Sequence, residues 1–118
     1  MDMVRETMKD KRILIIDDEI DFGFLMTDFF SKRGSKVFIA NSIKDGLRIL
    51  EHEKLDVIFL DNNLPDGFGW GKTEYILGNY PNAQLILISA MEVPKTSSPS
   101  FNILYKPVIK DELHRLFD

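Results

Sequence analysis

The sequence contains no cysteine, which excludes a disulfide scaffold and a zinc site built from thiolates. It also has no long apolar run, since its uninterrupted apolar stretches are far shorter than the roughly 20 residues that span a bilayer. The first eleven residues are polar and mixed in charge, which excludes a signal sequence there. These absences predict a soluble cytoplasmic domain that does not insert into a membrane.

A cluster of positive charge is absent as well. The chain carries 15 basic and 19 acidic residues, with a formal net charge of -4, and no block of lysine or arginine stands out. Because nucleic-acid-binding domains present such a basic patch, we expect no direct nucleic acid binding. What the chain does have is apolar material, 44% of its 118 residues, which is enough for one packed core. We predict a polar lead over residues 1–11 and a single domain over residues 12–118.

Five short apolar segments have the length and composition of β-strands. Three of them are continuous rather than alternating, as in Ile13 to Ile16, and this pattern is typical of strands covered on both faces of a parallel sheet. The predicted strands cover residues 12–17, 36–40, 56–61, 84–89 and, more weakly, 102–106.

Segments with helical periodicity lie between these strands. The first covers residues 20–33 and ends at Gly34, the second follows a capping Ser42, the third covers residues 70–80, and the last covers residues 109–117. In the last helix we expect Leu113, Leu116 and Phe117 to face inward. Strands that alternate with helices predict a doubly wound α/β fold with a five-stranded parallel sheet.

One connection departs from this alternation. Residues 90–101 contain two prolines and four serine or threonine residues, and they show no amphipathic repeat. Because proline disrupts a helix interior, we predict that the fourth helix of the fold is shortened or missing.

Polar side chains follow four of the predicted strands. Asp17, Asp18 and Glu19 follow the first, Asp61 ends the third, Ser89 ends the fourth and Lys106 ends the fifth. Because the carboxyl ends of parallel strands meet at one edge of a sheet, and ligands of such folds bind there, we expect these groups to converge. Several carboxylates in one place repel each other unless a hard cation lies among them, and Mg²⁺ prefers such oxygen ligands. A carboxylate in this setting can attack phosphorus, which makes Asp61 the candidate nucleophile.

Four segments in this order resemble the motif set of the receiver domains of response regulators. They are Ile-Ile-Asp-Asp-Glu at residues 15–19, Leu-Asp-Asn-Asn-Leu-Pro-Asp-Gly-Phe-Gly at 60–69, Ile-Ser-Ala at 88–90 and Tyr-Lys-Pro at 105–107. The resemblance implies a flavodoxin-like fold with strand order 2-1-3-4-5. It also implies a two-component signalling role in which a histidine kinase or a phosphotransfer protein phosphorylates Asp61.

The resemblance further assigns roles to individual residues. It implies that Mg²⁺ is held by Asp18 directly, by Asp17 in support, by Asp61 and by the backbone carbonyl of Asn63. Ser89 and Lys106 would bind the phosphoryl group. Pro65, Gly67, Gly69 and Pro107 would shape the loops, with a cis peptide bond at Lys106–Pro107. For the two glycines we expect positive φ angles in the sharp turn after Asp61.

The sequence departs from the family at its output face. Ile103 stands where the family usually has an aromatic residue, three positions before the lysine, and Tyr105 shares its strand face by period-two alternation. We expect Tyr105 to pack in the core. The predicted loss of the fourth helix affects the same region, which most receivers use to bind targets or to form homodimers. We therefore hypothesise intact phosphorylation chemistry with an unusual readout to an unknown effector domain or target protein.

Two other functions are compatible with parts of this pattern. A phosphorylation-independent interaction domain would keep the fold and use the altered face for docking. A phosphohydrolase with an aspartate nucleophile usually has a second aspartate two residues later, where this chain has Asn63, so we do not expect an enzyme. The sequence is compatible both with a single-domain regulator and with the receiver portion of a longer protein.

Overall fold

The computed structural model of the chain describes residues 8–90 and 102–118. The elements in this part of the chain alternate between strands and helices. In order they are β1 (Arg12–Ile16), α1 (Ile20–Ser31), β2 (Lys36–Ala40), α2 (Ile43–His52), β3 (Val57–Asp61), β4 (Asn63–Leu64), β5 (Gly67–Phe68), a 3₁₀-helix (Gly69–Lys72), α3 (Thr73–Asn79), β6 (Gln84–Ser89), β7 (Asn102–Tyr105) and α4 (Lys110–Phe117).

Five of the strands form one parallel sheet in the order β2-β1-β3-β6-β7. The short strands β4 and β5 pair only with each other, as an antiparallel hairpin. With this hairpin set aside, the order is the predicted 2-1-3-4-5, so the flavodoxin-like topology is confirmed. The sheet places β3 at its centre, where all five of its residues are buried.

Each face of the sheet packs against its own apolar cluster. Ile13 and Ile15 of β1 point into the cluster beneath α1 and α4, whereas Leu14 and Ile16 point into the cluster beneath α2 and α3. Because successive residues of a strand point to opposite faces, a strand with helices on both sides needs apolar residues at every position. This double coverage explains the continuous apolar runs in the sequence.

The helix boundaries follow the predicted signals at several positions. Gly34 ends the turn after α1 with a φ of 85°, and the hydroxyl of Ser42 accepts a hydrogen bond of 3.1 Å from the backbone N–H of Asp45. The predicted helix from Trp70 to Tyr80 is wrong in its first turn, which is 3₁₀ rather than α. The expected inward position of Leu116 is also wrong, because this residue is 47% exposed.

The folded structure includes residues that precede the predicted start of the domain at residue 12. Met8 is buried in the cluster beneath α1 and α4, and its carbonyl accepts a hydrogen bond of 2.6 Å from the hydroxyl of Ser35. The predicted change to the fourth helix falls mostly on residues 91–101, which lie outside the described residues. Within the described residues, no helix has the length and apolar character that crossing a membrane requires.

A polar cluster joins the C-terminal ends of α1 and α4. The guanidinium of Arg33 lies 3.5 Å from the centre of the Phe29 ring and binds the carboxylate of Asp118 through two of its nitrogens. His114 contacts both partners, with Nδ1 2.5 Å from Asp118 Oδ2 and 3.2 Å from Arg33 Nη2. The side chain of Arg33 is 9% exposed, so this ion pair is shielded from solvent on one side.

We expect the Asp118 ion pair to contribute stability that depends on pH. Its hydrogen bonds to Arg33, against a smaller opposing effect of burial, lower the pKa of Asp118 from 3.8 to about 2. A depressed carboxyl pKa stabilises the folded state above the unfolded pKa, and this contribution is lost as the pH falls from about 4 to about 2. Replacing Asp118 by asparagine should therefore lower the free energy of unfolding at pH 7 by about 1 kcal/mol or less.

Urea denaturation of both proteins at pH 7 and near pH 2 measures this contribution. The difference between wild type and Asp118→Asn should be present at pH 7 and should be much smaller at the lower pH. A difference that is equal at both pH values would contradict the assignment, because a neutral packing effect does not titrate.

Candidate functional site

The carboxyl edge of the sheet brings together the polar residues that follow the strands. Asp17 follows β1, Asp61 is the last residue of β3, Ser89 is the last residue of β6, and Lys106 follows β7. The strand register aligns their positions, since Ile16 pairs with Leu60, one residue before Asp17 and Asp61. The parallel arrangement of strands that end at the same level thus produces one polar site from four distant segments.

Three carboxylates form the acidic part of this site. Asp17, Asp18 and Asp61 each offer one oxygen, and these three oxygens all lie within 4.8 Å of one another. Asp17 and Asp61 are buried, at 2% and 5% exposure, whereas Asp18 is exposed. The structure therefore brings together the three side chains that the sequence suggested as metal ligands.

The two oxygens of the Asp17 carboxylate have different surroundings. Its Oδ1 accepts a hydrogen bond of 2.8 Å from the backbone N–H of Glu19, whereas its buried Oδ2 accepts no hydrogen bond within the described residues. This buried oxygen lies 2.8 Å from Nζ of Lys106, whose positive charge offsets part of the cost of burying it. The three carboxylates carry more negative charge than Lys106 alone balances, so they fit a hard divalent cation such as Mg²⁺.

The electrostatics of the site act on Asp61. Burial raises the pKa of Asp61 above its ordinary value of 3.8, and the charges of Asp17 and Asp18 raise it further, while Lys106 and the backbone N–H of Asn62 lower it. That N–H donates a hydrogen bond of 2.9 Å to Oδ1 of Asp61. The backbone thus orients the Asp61 carboxylate, and a bound cation would reduce its repulsion from the carboxylates of Asp17 and Asp18.

Lys106 provides the positive charge at this edge of the sheet. Its Nζ lies 2.8 Å from Oδ2 of Asp17, as an ion pair without hydrogen-bond geometry, and 2.9 Å from Oε1 of Glu19. Burial alone lowers the pKa of Lys106, but the interactions with Asp17 and Glu19 outweigh it and raise the pKa above its ordinary value. The side chain is therefore charged at neutral pH. The peptide bond between Lys106 and Pro107 is cis, as predicted.

Gly69, which directly follows the hairpin, lies close to the backbone of Asp61. A Cβ atom added to Gly69 would lie 2.0 Å from the carbonyl oxygen of Asp61 and 3.0 Å from side-chain atoms of Leu60 and Leu64. Gly67 has the expected positive φ, at 142°, whereas the same expectation for Gly69 is wrong. Glycine is needed at position 69 because of the space, and at position 67 because of the backbone angle.

The remaining predicted site residues lie close to this hairpin or beside Ser89. Asn63 begins β4, two residues beyond Asp61, and Pro65 lies in the turn between β4 and β5. Ser89 is 7% exposed, and its carbonyl accepts a hydrogen bond of 2.8 Å from the backbone N–H of Lys106. The carbonyl of Asn63 as a metal ligand and the hydroxyl of Ser89 as a phosphoryl ligand stay predictions.

Two acidic residues have partners that sequence reasoning missed. The carboxylate of Asp66 accepts hydrogen bonds of 2.9 and 3.0 Å from the backbone N–H groups of Ile43 and Lys44, and these bonds lower the pKa of Asp66. Asp66 thereby joins the hairpin to the N-terminus of α2. Glu19, which the sequence showed only as part of an acidic run, binds Lys106. Neither the place of Asp66 after Pro65 nor that of Glu19 after two aspartates identifies a distant partner in the sequence.

The output face differs from the expectation in one respect. Ile103 is partly buried against the cluster beneath α2 and α3, but Tyr105 is 44% exposed, so its predicted packing in the core is wrong. Tyr105 lies directly opposite Ser89 in the register of β6 and β7. Residues 91–101, which connect these two strands, lie outside the described residues.

A family model and similar proteins of known sequence indicate the same family for this chain. The family model of the response regulator receiver domain matches residues 13–118 of this sequence. Response regulator protein PilR of Pseudomonas aeruginosa is 27% identical over 114 residues, which cover 92% of this chain and 26% of PilR. Transcriptional regulatory protein GlrR of Escherichia coli is 29% identical over 115 residues, which cover 93% of this chain and 26% of GlrR. The chain thus spans about a quarter of the length of these two relatives.

Solved structures show the same fold. A CheY-like response regulator receiver domain protein from Methanospirillum hungatei is 26% identical, with a TM-score of 0.78 and coverage of 90% of both chains. A response regulator protein from Burkholderia pseudomallei, solved with a phosphorylated aspartic acid, a calcium ion and citrate, is 22% identical with a TM-score of 0.79 and covers 92% of this chain and 67% of that chain. Since the family match covers nearly all of a chain with this fold, the chain belongs to the response regulator receiver domains of two-component systems.

Proposed function

We propose that this receiver domain accepts a phosphoryl group on Asp61 from a histidine kinase or a phosphotransfer protein, with Mg²⁺ bound at the acidic site. The observation that carries the proposal is the cluster of Asp17, Asp18 and Asp61, with an oxygen of each within 4.8 Å of the others and Lys106 charged beside it. A relative of known structure contains a phosphorylated aspartic acid, which supports the same chemistry here.

In the proposed reaction, an oxygen of the Asp61 carboxylate attacks the phosphorus of the donor. A bond forms between this oxygen and phosphorus, the bond from phosphorus to the donor breaks, and its electron pair leaves with the donor group. The backbone N–H of Asn62, which binds Oδ1 of Asp61, fixes the orientation of the nucleophile. Asp61 is also the last residue of a fully buried strand, and this position limits the motion of its side chain further.

The chain supplies charge around the incoming phosphoryl group. Lys106, charged at neutral pH, would balance part of the negative charge on the phosphoryl oxygens, and the Ser89 hydroxyl would donate to one of them. Mg²⁺, held by Asp17, Asp18, Asp61 and the Asn63 carbonyl, would neutralise further charge during the transfer. Phosphorylation adds about two negative charges at neutral pH, so the rearrangement of Ser89 and Lys106 is the signal available to the output face.

Phosphorylation of the purified domain by acetyl phosphate tests the proposal. With Mg²⁺ present, intact-mass spectrometry should detect one added phosphoryl group per chain, and hydroxylamine should remove it, since an acyl phosphate is cleaved by this nucleophile. Without Mg²⁺, in excess EDTA, incorporation should fall at least tenfold, because a single metal ion contributes several kcal/mol to such transfers.

The alternative of a phosphorylation-independent interaction domain makes the opposite prediction. A folded domain that binds no phosphoryl group in the presence of Mg²⁺ and acetyl phosphate would favour it and overturn the proposal. The altered output face, with Ile103 partly buried and Tyr105 exposed, is compatible with either function. An unusual readout of phosphorylation at the output face is a further part of the proposal. Addition of beryllofluoride tests it, because amide shifts of the β7 residues as large as those in ordinary receiver domains would count against it.

A further inference from the structure

The ammonium of Lys106 is held away from Asp61 in the unphosphorylated protein. Its ion pairs are with Asp17, at 2.8 Å, and Glu19, at 2.9 Å, and among the described residues it makes no direct ion pair with Asp61. The Phe22 ring lies beneath it, with its centre 4.9 Å from Nζ. Two carboxylates and one aromatic ring thus surround the charge on which the proposed phosphoryl group depends.

The position of Glu19 suggests that its side chain serves this ion pair rather than the helix. Glu19 is the N-cap residue of α1, yet its side chain makes no capping hydrogen bond, although N-cap side chains commonly accept one from the first turn. Its carboxylate is 57% exposed and reaches Lys106 instead, whose side chain is 15% exposed. The side chain of Glu19 therefore has no capping role at the start of α1, and its contact with Lys106 is the interaction it makes instead.

We propose that Glu19 is a positioning residue that retains Lys106 in the unphosphorylated state and competes with the phosphoryl group on Asp61 for this ammonium. The inference rests on the proposed function. Asp17 cannot have this role alone, because its buried carboxylate is one of the three that the proposed function assigns to Mg²⁺, whereas the exposed carboxylate of Glu19 can release the lysine into solvent-accessible space. In this proposal the ion pair between Glu19 and Lys106 breaks when Lys106 moves to the phosphoryl oxygens, so Glu19 opposes phosphorylation.

Beryllofluoride, which mimics a phosphoryl group on an aspartate, allows a direct test by calorimetry with Mg²⁺ in excess. Replacing Glu19 by glutamine should strengthen beryllofluoride binding about two- to five-fold, the ratio expected from the loss of one competing, partly exposed ion pair. Asp21→Asn is the matched control, because Asp21 carries the same charge in the first turn of the same helix and lines the same groove beside Lys106. The control corrects for the general loss of one negative charge.

The outcomes separate the inference from the proposed function. Tighter binding to Glu19→Gln than to Asp21→Asn supports the role of Glu19, and equal or weaker binding overturns it. If the wild type itself binds no beryllofluoride, the proposed function fails. A second measurement compares the wild type with Glu19→Gln: the Nζ protons of Lys106 should exchange with water more slowly in the free wild type than in the free variant, and their resonance should shift when beryllofluoride binds to the wild type. An unprotected Nζ in the free protein would overturn the inference even where the domain is phosphorylated normally.

Discussion

Replacement of Asp61 by asparagine will reduce phosphoryl incorporation from acetyl phosphate to the background level. The amide is not a nucleophile towards phosphorus, and the neighbouring Asp17 and Asp18 follow β1 rather than lying at the end of the central strand. Loss of an essential nucleophile commonly costs several orders of magnitude in rate. Intact-mass spectrometry after incubation with acetyl phosphate and Mg²⁺ measures the effect.

A variant with the same loss of charge elsewhere serves as the control for this experiment. Asp111 lies in the first turn of α4 and is exposed, so Asp111→Asn should incorporate phosphate like the wild type. Incorporation that persists in Asp61→Asn would place the modification on another residue, and peptide mapping would then identify it.

The same Asp61 variant should be more stable than the wild type when no metal is bound. Burial and the charge of Asp17 raise the pKa of Asp61 above 3.8, so the carboxyl group favours folding only below its unfolded pKa, and this contribution is lost as the pH rises through the folded pKa. At neutral pH the ionised group opposes folding. We expect Asp61→Asn to raise the free energy of unfolding in EDTA at pH 7 by about 0.5 to 2 kcal/mol, and the gain should disappear towards pH 4. A gain that does not change with pH would show that packing, rather than charge, is responsible.

Replacement of Gly69 by alanine will destabilise the domain by about 3 kcal/mol or more. The added methyl group would lie 2.0 Å from the carbonyl oxygen of Asp61, and backbone atoms cannot give way as flexible side chains do. Overpacking against side chains already costs about 1 to 3 kcal/mol, and here the end of the central strand must move. Urea denaturation followed by circular dichroism measures the loss, and the displacement of Asp61 should weaken the proposed binding of Mg²⁺ as well.

Gly71 provides the control in the same 3₁₀-helix. A Cβ atom at Gly71 has open space around it, with no heavy atom within 4 Å, so Gly71→Ala should be neutral or slightly stabilising. If both variants lose the same stability, the cause lies in the flexibility of this segment, and the close contact at Gly69 is not responsible.

The sheet and the core of this domain could be predicted from the sequence because buried strand positions are occupied by apolar residues. Strands covered on both faces require apolar residues at every position, so Ile13 to Ile16 and Val57 to Leu60 identified β1 and β3. The convergence of Asp17, Asp61 and Lys106 followed from the same topology, since parallel strands end at one edge. Those predictions needed only the order of the elements.

The details that the sequence did not predict depend on contacts between distant segments. The first turn of the predicted third helix is 3₁₀ because Gly69 lies against the Asp61 carbonyl and the indole of Trp70 donates to the carbonyl of Leu60. Helical periodicity carries no information on such anchors. The exposure of Tyr105 and the ion pair of Glu19 likewise follow from how the strand ends meet in space.

The position of Trp70 gives the domain an intrinsic optical reporter. It is the one tryptophan of the chain, its indole N–H lies 3.2 Å from the carbonyl oxygen of Leu60, the residue before Asp61, and its backbone N–H donates to the side chain of Asn62. Its fluorescence emission should therefore respond when the surroundings of Asp61 at the end of β3 change. Titrations of the unlabelled protein can then be followed by fluorescence.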